Sequence, residues 1–507
     1  MPESHINNKR IAKNTALLYI RTLIVMLITL YTSRVILKAL GVEDYGVYQV
    51  IGGMVAMFTM ISGSLSAAIS RFITYEIGKG NKDKLNVIFS TSVYVQIIIA
   101  FIVLIIAEII GVWFMETQMQ IPEERMWAAK WVLHCSLITF CVNLLSIPYN
   151  ACIIAHEHMG AFAYISVFDA LAKLTISYFI LVSPIDRLVF YALAMTIEAV
   201  IVRFIYSIYC QRHFEECRRL TKFDKIVFKE MFGFASWGFI TSINGHLNNQ
   251  GVSMLVNVFF GVTYNASRGI ASQVETAVLN FVNNFTTAFK PQIIKSYAAG
   301  DFDGMASLIY RSAKFSFFAM LVMMLPIICE ADIILHTWLT VVPDQSVIFV
   351  KLSLIIGTFD CVGASSAAAC YATGRMKKYA IVIGIIGTLE FPLTWMFFIN
   401  GAPIVSTYYL YIFVKACVLA ARIYLMQDMV GLRMRRYAKF VIIPIVLVTI
   451  VSILPPLMLQ VFFEQSYKRL ALTVLTSILS VTTASFFIGF TQLERSMILS
   501  QIRKIKK

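Results

Sequence analysis

Two arginines stand inside an otherwise apolar run, LYIRTLIVMLITLYTSRVILKALG, residues 18–41: Arg21 and Arg34. A guanidinium at the depth of a bilayer is costly and is tolerated only where it meets protein, water or a partner. In exchange it offers a planar fork of donors that fits phosphate oxygens two at a time. The two arginines lie thirteen residues apart, about 140° out of phase and roughly 20 Å apart along a straight helix, so they cannot both aim at one spot. Arg34 stands beside Lys38 near one end of the run, where it can either line a cavity or snorkel to the interface. Arg21 is two turns in from the other end, and Thr32 shares its face.

Polar stripes of the same kind recur later. In WGFITSINGHLNNQGVS, Thr241, Asn244, Asn248 and Gly251 fall on one side of a helix. In NASRGIASQVETAVLNFVNNFTTAF, Arg268, Ser272 and Glu275 fall together, with Asn280, Asn283 and Asn284 further along. Acyl chains cannot satisfy such groups, so the stripes either line a wet cavity or join helices to one another. Acids at similar depth are Asp169, paired i,i+4 with Lys173, then Glu198 near Arg203, and Asp360 and Glu390, each isolated like Lys415 in its own run. Glu108 lies near the end of a run, within reach of the interface. Asp169, Asp360 and Glu390 are the candidates for coupling to a proton or sodium ion, since an intramembrane carboxylate can relay either. Counting Arg21, Arg34, Lys173, Arg203, Arg268, Lys415 and Arg422, cations slightly outnumber acids at depth. A cavity tipped positive attracts an anion, and Arg21 and Arg268 suit a phosphate-bearing substrate, with Arg34 as a third candidate. Thr32, Asn244, Asn248, Ser272 and Glu275 are the candidate polar lining.

The elements that must position these residues are membrane spans. Of the 507 residues 59% are hydrophobic and only 14% charged, with mean hydropathy +0.76; soluble domains average about 25% charged. The N-terminal MPESHINNKRIAKN is polar, and the next apolar run has no signal-peptide cleavage site. Runs long enough to span cover roughly 14–38, 45–69, 87–115, 127–153, 159–182, 188–210, 230–259, 262–288, 308–338, 347–371, 378–399, 404–427, 438–462 and 470–491. The fold class expected is an all-α polytopic membrane protein with about fourteen transmembrane helices.

Lys and Arg set the orientation. One set of segments (the N-terminal tail, 70–86, 154–158, 211–229, 289–314, 372–378, 428–439 and the C-terminal tail) carries 29 of the 43 basic residues, against about seven in the other set. Both termini are expected on the cytoplasmic side. The net charge of +15 is spread over these short loops, which argues against nucleic acid as a partner.

An internal echo divides the chain. GVEDYG at 41–46 pairs with GVTYNA at 261–266, and EIGKGNKDKL at 76–85 with SYAAGDFDGM at 296–305, both at an offset of 220; ACIIAHEHMGAFA at 151–163 faces AACYATGRMKKYA at 368–380 at a slightly smaller offset. The repeat holds six spans, an even number, so the expected architecture is two six-helix lobes related by a pseudo-two-fold axis along the membrane normal, with a central cavity between them. The expected parts are an N-terminal lobe at 1–210, a basic linker at 211–229, a C-terminal lobe at 230–427, and two extra spans with a basic tail at 428–507.

With that layout in view, TSRVILKALGVEDYGVYQVIGGMVAMFTMISGSLSAAISRFITYEIGKGNKDKLNVIFS resembles the N-terminal stretch of bacterial polysaccharide-biosynthesis flippases of the O-antigen type. These belong to the multidrug/oligosaccharidyl-lipid/polysaccharide exporter superfamily. The resemblance rests on Ser33, Arg34, Leu40 and Gly41 at the end of the first span, the Tyr-Gly that opens the second, and the Gly-Asn turn after it. It implies alternating-access translocation of a polyprenyl-pyrophosphate-linked oligosaccharide, a cell-surface precursor, to the outer leaflet. It also implies basic residues holding the pyrophosphate, for which Arg21 and Arg268 fit best. The implied partners are the lipid-linked oligosaccharide, membrane lipid and a polysaccharide polymerase machinery. No cofactor is implied, and no coupling-ion site carries over from the family.

The nearest rival is an ion-coupled drug extruder of the same fold, which predicts acids rather than arginines at the cavity centre. A membrane polymerase or glycosyltransferase is the rival of another class, but no loop clusters catalytic residues, so the chain is not expected to be an enzyme. His156, Glu157 and His158 are adjacent on a short turn with no fourth ligand and make a poor metal site. The nine cysteines show no metal spacing and are expected reduced and structural.

Overall fold

The structure is a computed structural model that describes residues 8–79, 81–156, 158–233, 245, 247–298, 300–373 and 376–496. Among the described residues there are helices and turns and no β-strand. Eleven of the helices are long and apolar enough to cross a membrane, and the chain is a multi-pass membrane protein. Of the fourteen runs expected, 45–69 is shared between two helices, 230–259 falls partly on residues outside those described, and 262–288 is a helix studded with Asn and Ser.

The helices run in order as α1 Asn8–Ala56, α2 Thr59–Lys79, α3 Lys82–Thr117, α4 Glu123–Ala155, α5 Met159–Phe179, α6 Arg187–His213, α7 Val252–Phe260 and α8 Val262–Ala298. There follow α9 Phe302–Cys329, α10 Ala331–Trp338, α11 Ser346–Ala372, α12 Met376–Thr388, α13 Glu390–Ile399, α14 Ser406–Val430, α15 Met434–Tyr437, α16 Ile443–Phe462 and α17 Tyr467–Ala484. The stretches 70–86 and 289–314, expected as loops, are mostly helix. Hydropathy falls where a chain leaves the bilayer, whereas a helix stops where a side chain or glycine satisfies its end.

Those stops repeat at the offset of 220. Gly41 breaks the helical path inside α1 at φ 83°, ψ 174°, and Gly261 separates α7 from α8 at φ 86°, ψ −177°. Only glycine enters that region freely. Asn81 caps α3 by accepting from the Lys84 amide at 3.1 Å, and Asp301 caps α9 by accepting from the Gly304 amide at 2.8 Å. The amides of Asn81 and Asp301 donate to Glu76 and Ser296 carbonyls at 3.2 and 2.9 Å, again 220 apart. The echo in the sequence is thus an echo of backbone conformation.

The chain divides into two units, residues 1–266 with 339–343, and 267–338 with 344–507. In the first, α4 packs against α1, α2, α3 and α6, and α1 lies along α5. Its core runs through Val47, Val50, Ile51, Leu133, Leu137, Leu144 and Cys152. A Cβ on Gly46 would strike the Val262 carbonyl, so the glycine of GVEDYG serves a close backbone approach. In the second unit α11 packs between α9 and α14, and α16 pairs with α17 against α9. Rows such as Ile98, Phe101, Ile105 and Ile109 on α3 stay exposed. In a bilayer such rows face acyl chains, and packing and polar contacts rather than hydrophobicity join helix to helix.

Candidate functional site

In the first unit the charged side chains of the spans fall into two groups. Asp169 and Lys173 close on each other within α5, Lys173 Nζ lying 2.8 Å from Asp169 Oδ1 and 2.9 Å from Oδ2. Glu198, 5% exposed, lies against this pair from α6. The pair neutralises itself, and Lys173 is no free anion-binding cation.

Arg21 belongs to the other group. Its Nη2 donates to Ser166 Oγ at 3.0 Å, and its guanidinium carbon stands 4.8 Å from the centre of the Phe162 ring. Tyr206 of α6 stands against the same Ser166. Among the described residues no carboxylate pairs with Arg21, and its buried Nε has no hydrogen-bond partner. The arginine is therefore oriented by one neutral hydroxyl and one ring, with donors left over. Arg203 stands with its guanidinium carbon 4.0 Å from the centre of the Tyr149 ring. Arg34 lies two turns before the Gly41 break in α1, within electrostatic reach of Tyr178, whose hydroxyl shares a 2.7 Å hydrogen bond with Tyr31. Thr32 is 7% exposed and donates its hydroxyl to the Ile28 carbonyl at 2.7 Å. Asn248 is buried in a π-helical turn, Leu247–Gly251; Thr241 and Asn244 lie outside the described residues.

The second unit gathers residues that looked scattered in sequence. Lys415 Nζ on α14 donates to Asp360 Oδ1 and Oδ2 of α11 at 2.8 and 2.7 Å and lies 5.1 Å from the Tyr411 ring centre. Glu275 of α8 is within electrostatic reach of Lys415, Asp360 and Arg268. Glu390, 1% exposed at the start of α13, is within reach of the same four groups. Arg268 sits 5.8 Å from the Tyr408 ring centre. Ser272 is half-buried one turn along α8 from Arg268. The isolation expected for Asp360, Glu390 and Lys415 is thus corrected: three helices bring them together, a relation no spacing within one helix encodes. Here three acids meet Lys415 and Arg268, with Arg422 within electrostatic reach of Lys415, so the excess of cations expected at depth does not hold locally.

Outside the spans the loops are tied down by ions. Arg125 Nε and Nη2 hold Asp44 at 2.6 and 2.7 Å, and Nη1 holds Asp186 at 2.7 Å. Asp186 also caps α6, accepting from the amides of Leu188 and Val189. Burial pushes the Asp186 carboxyl up, but the Arg125 hydrogen bonds and charge and the two backbone donors outweigh it, and its pKa lies below the ordinary value. His156 and His158 part company: His156 Nε2 meets Glu216 Oε1 at 2.6 Å and His158 Nδ1 meets the Tyr209 hydroxyl at 2.9 Å. Burial raises Glu216, and the hydrogen bond to His156, a backbone amide and the His156 charge more than reverse it. All nine cysteines are free thiols.

The residues that sequence reasoning missed are the aromatic and hydroxyl partners. Phe162, Ser166, Asp169 and Lys173 follow at i, i+4, i+7 and i+11 down one face of α5, and Tyr408, Tyr411 and Lys415 at i, i+3 and i+7 down α14. A search for aromatics in phase with buried charges would have found both.

Residues 11–298 match the family model described as polysaccharide biosynthesis protein. The uncharacterized membrane protein EpsK of Bacillus subtilis (strain 168) is 19% identical over 296 residues, a match spanning 58% of this chain and 58% of that protein. Among solved structures, the lipid II flippase MurJ in an inward closed conformation superposes with TM-score 0.73 at 13% identity, covering 93% of this chain and 98% of MurJ. An inward-facing multidrug resistance MATE transporter of the MOP superfamily gives 0.68 at 11% identity, over 83% of this chain and 99% of that one. A MOP superfamily transporter from Pyrococcus furiosus, titled for the reverse polarity of its binding pocket, gives 0.61 at 12% identity over 83% and 96%. The chain belongs to the polysaccharide biosynthesis protein family and has the flippase-like fold of the MOP transporter superfamily.

Proposed function

We propose that the protein translocates a polyprenyl-pyrophosphate-linked oligosaccharide, a cell-surface polysaccharide precursor, from the cytoplasmic to the outer leaflet of a bacterial inner membrane by alternating access. The observation that carries the proposal is Arg21: a guanidinium inside a membrane helix, aimed by Ser166 and Phe162, with no carboxylate partner among the described residues. A sugar-pyrophosphate head cannot cross hydrocarbon, but it can pass cationic and polar groups while its lipid tail stays in the bilayer. The pyrophosphate takes the spare donors of Arg21; in the second unit Arg268 is the candidate cation for the same chemistry. Arg34 acts at the outer end. The network of Glu275, Asp360 and Glu390 around Lys415 is where a proton or sodium ion would enter the cycle.

The test is translocation of a labelled polyprenyl-pyrophosphate oligosaccharide in proteoliposomes, read by accessibility to an impermeant reagent. Removing charge-assisted bonds worth about 1.5–3 kcal/mol lowers flipping about tenfold or more in Arg21→Ala, with Arg21→Lys intermediate because it keeps charge and loses the fork. Equal flipping by wild type and Arg21→Ala would overturn the assignment of the pyrophosphate contact. The three acids gathered in the second unit favour a second reading, a cation extruder of the same fold; export of cationic dyes with no flipping of any glycan would establish that one.

A further inference from the structure

The face of α14 that gives Lys415 to Asp360 carries Arg422 two turns further on, toward the end of the span expected to be cytoplasmic. There it meets α11 one turn beyond Asp360. A Cβ on Gly363 would overlap Arg422 Nη1 and crowd its Cδ and Cζ at 3.3 and 3.4 Å, so the guanidinium lies in the space that glycine leaves. Ser366 and Cys370 follow on the same side of α11, both buried, and Cys370 is within electrostatic reach of the arginine. Arg422 is half-buried, and its Nε is buried with no hydrogen-bond partner. Among the described residues the guanidinium makes no hydrogen bond, ion pair or ring contact. Asp360 is taken by Lys415, and Asp428, the acid of α14, holds Lys378 at 2.6 Å. The charged group that does reach Arg422 is Lys415, of like sign. Charges drawn out of water in a folded protein are paired; this one is not.

The repeat supplies the contrast. At an offset of 219, which also brings together the helix starts Arg187 and Ser406, Arg422 answers to Arg203. Arg203 has a cover, the Tyr149 ring, with its guanidinium carbon 4.0 Å from the ring centre. The echo of 151–163 in 368–380, continued back along both helices, sets Ser366 against Tyr149 and Gly363 against Ser146. The second unit thus keeps the arginine and puts a serine where the first has the covering ring.

We propose that Arg422 is an anion-binding position that takes a phosphate group and, resting on the flippase reading above, that this group is the pyrophosphate of the lipid-linked substrate. The planar fork fits two phosphate oxygens at once, and all its donors are unspent. Lys415, although paired, adds positive potential from deeper in the span. About two turns before the end of α14, Arg422 is placed to meet a headgroup entering from the cytoplasmic side. Gly363 is its positioning residue, because the absence of a side chain there sets where the guanidinium lies.

The experiment measures binding of a polyprenyl-pyrophosphate oligosaccharide, and of inorganic pyrophosphate, to the full chain in detergent. It reads both the affinity and the rise in melting temperature that each ligand brings. Arg422→Ala is expected to weaken binding about tenfold or more and to shrink the ligand-induced rise. Without ligand it should melt no lower than wild type, because an unpaired charge has been removed. Arg422→Lys falls between the two. Gly363→Ala keeps the charge but pushes the flexible guanidinium aside, and should also weaken binding. Lys378→Ala, which removes an exposed cation, should leave the affinity unchanged. Unaltered affinity in Arg422→Ala, or an equal loss in Lys378→Ala, overturns the inference and leaves the flippase reading standing. A melting temperature that falls in Arg422→Ala as far without ligand as with it overturns it too, since the arginine is then structural. Inorganic pyrophosphate bound through Arg422 by a wild type that flips no glycan keeps the site and sinks the reading, and a wild type that binds neither ligand sinks both.

Discussion

Asp360 presents both carboxylate oxygens to the ammonium of Lys415, at 2.8 and 2.7 Å, from a neighbouring helix. The two are 55 residues apart in sequence, and the pair joins α11 to α14 where hydrophobicity cannot. Removing either partner leaves a charge in an apolar setting, the costly case, whereas removing both is much milder. Asp360→Ala and Lys415→Ala should each lower the melting temperature in detergent, and the double variant should lose less stability than the sum of the two, with a coupling of about 1 kcal/mol or more. Strict additivity would mean that the pair contributes only proximity.

The contact between Arg21 and Phe162 predicts a graded effect. A cation–π contact contributes about 0.5–2 kcal/mol depending on desolvation. Phe162→Leu keeps the bulk and should slow flipping by two- to thirtyfold by that measure, without changing the amount of folded protein. Ser166→Ala should act in the same direction, because it frees the guanidinium from its one hydroxyl partner. Flipping that is indifferent to both substitutions would separate the aim of Arg21 from its role.

Gly41 and Gly261 predict matched penalties. A side chain at φ near +85° with ψ near 180° costs about 1–3 kcal/mol, and a Cβ at Gly41 meets nothing within 4 Å, so the dihedral alone is at issue. Gly41→Ala and Gly261→Ala should each lower stability by that amount, read as loss of denaturant or thermal resistance. A neutral Gly41→Ala would show that the helix break can close without cost.

In the clamp on Arg125 it is Asp186 that makes stability fall with acid, while burial holds the Asp44 carboxyl above its ordinary value and works in the opposite direction. Asp186 is lower in the folded protein than in the unfolded chain, so its contribution is fully present above the ordinary carboxylate value, about 3.9. It is lost as pH falls through the lower, folded value. Glu216, also lowered, adds a second loss of the same sign at the other end of the unit. Melting temperature should therefore fall on acidification below about pH 4, and less steeply in Asp186→Asn. Arg125→Ala should destabilise at neutral pH by about 1.5–3 kcal/mol, the value of hydrogen bonds to charged groups.

What the sequence by itself determined is everything that depends on one helix at a time. Twenty-residue apolar runs and the polar stripes of α1 and α8 are patterns within one segment, so Arg21, Arg268 and Glu275 were legible as candidates. The repeat was legible too, because Gly41 and Gly261 must be glycine for the same backbone angle, and Asn81 and Asp301 must both accept an amide. Helix ends were less so: α2 and α8 run ten residues past their apolar stretches, since water does not end a helix that still has a cap ahead. Only the tertiary structure decided who meets whom. Asp360, Glu390 and Lys415 looked solitary because their partners stand on other helices, and the choice of facing side chain is made by packing, not by spacing. Arg21 is aimed by Ser166, 145 residues away, and Thr32, in phase with it, turned its hydroxyl back to its own helix. A stripe in sequence states which residues share a face; the neighbour that covers the face decides whether they are a site.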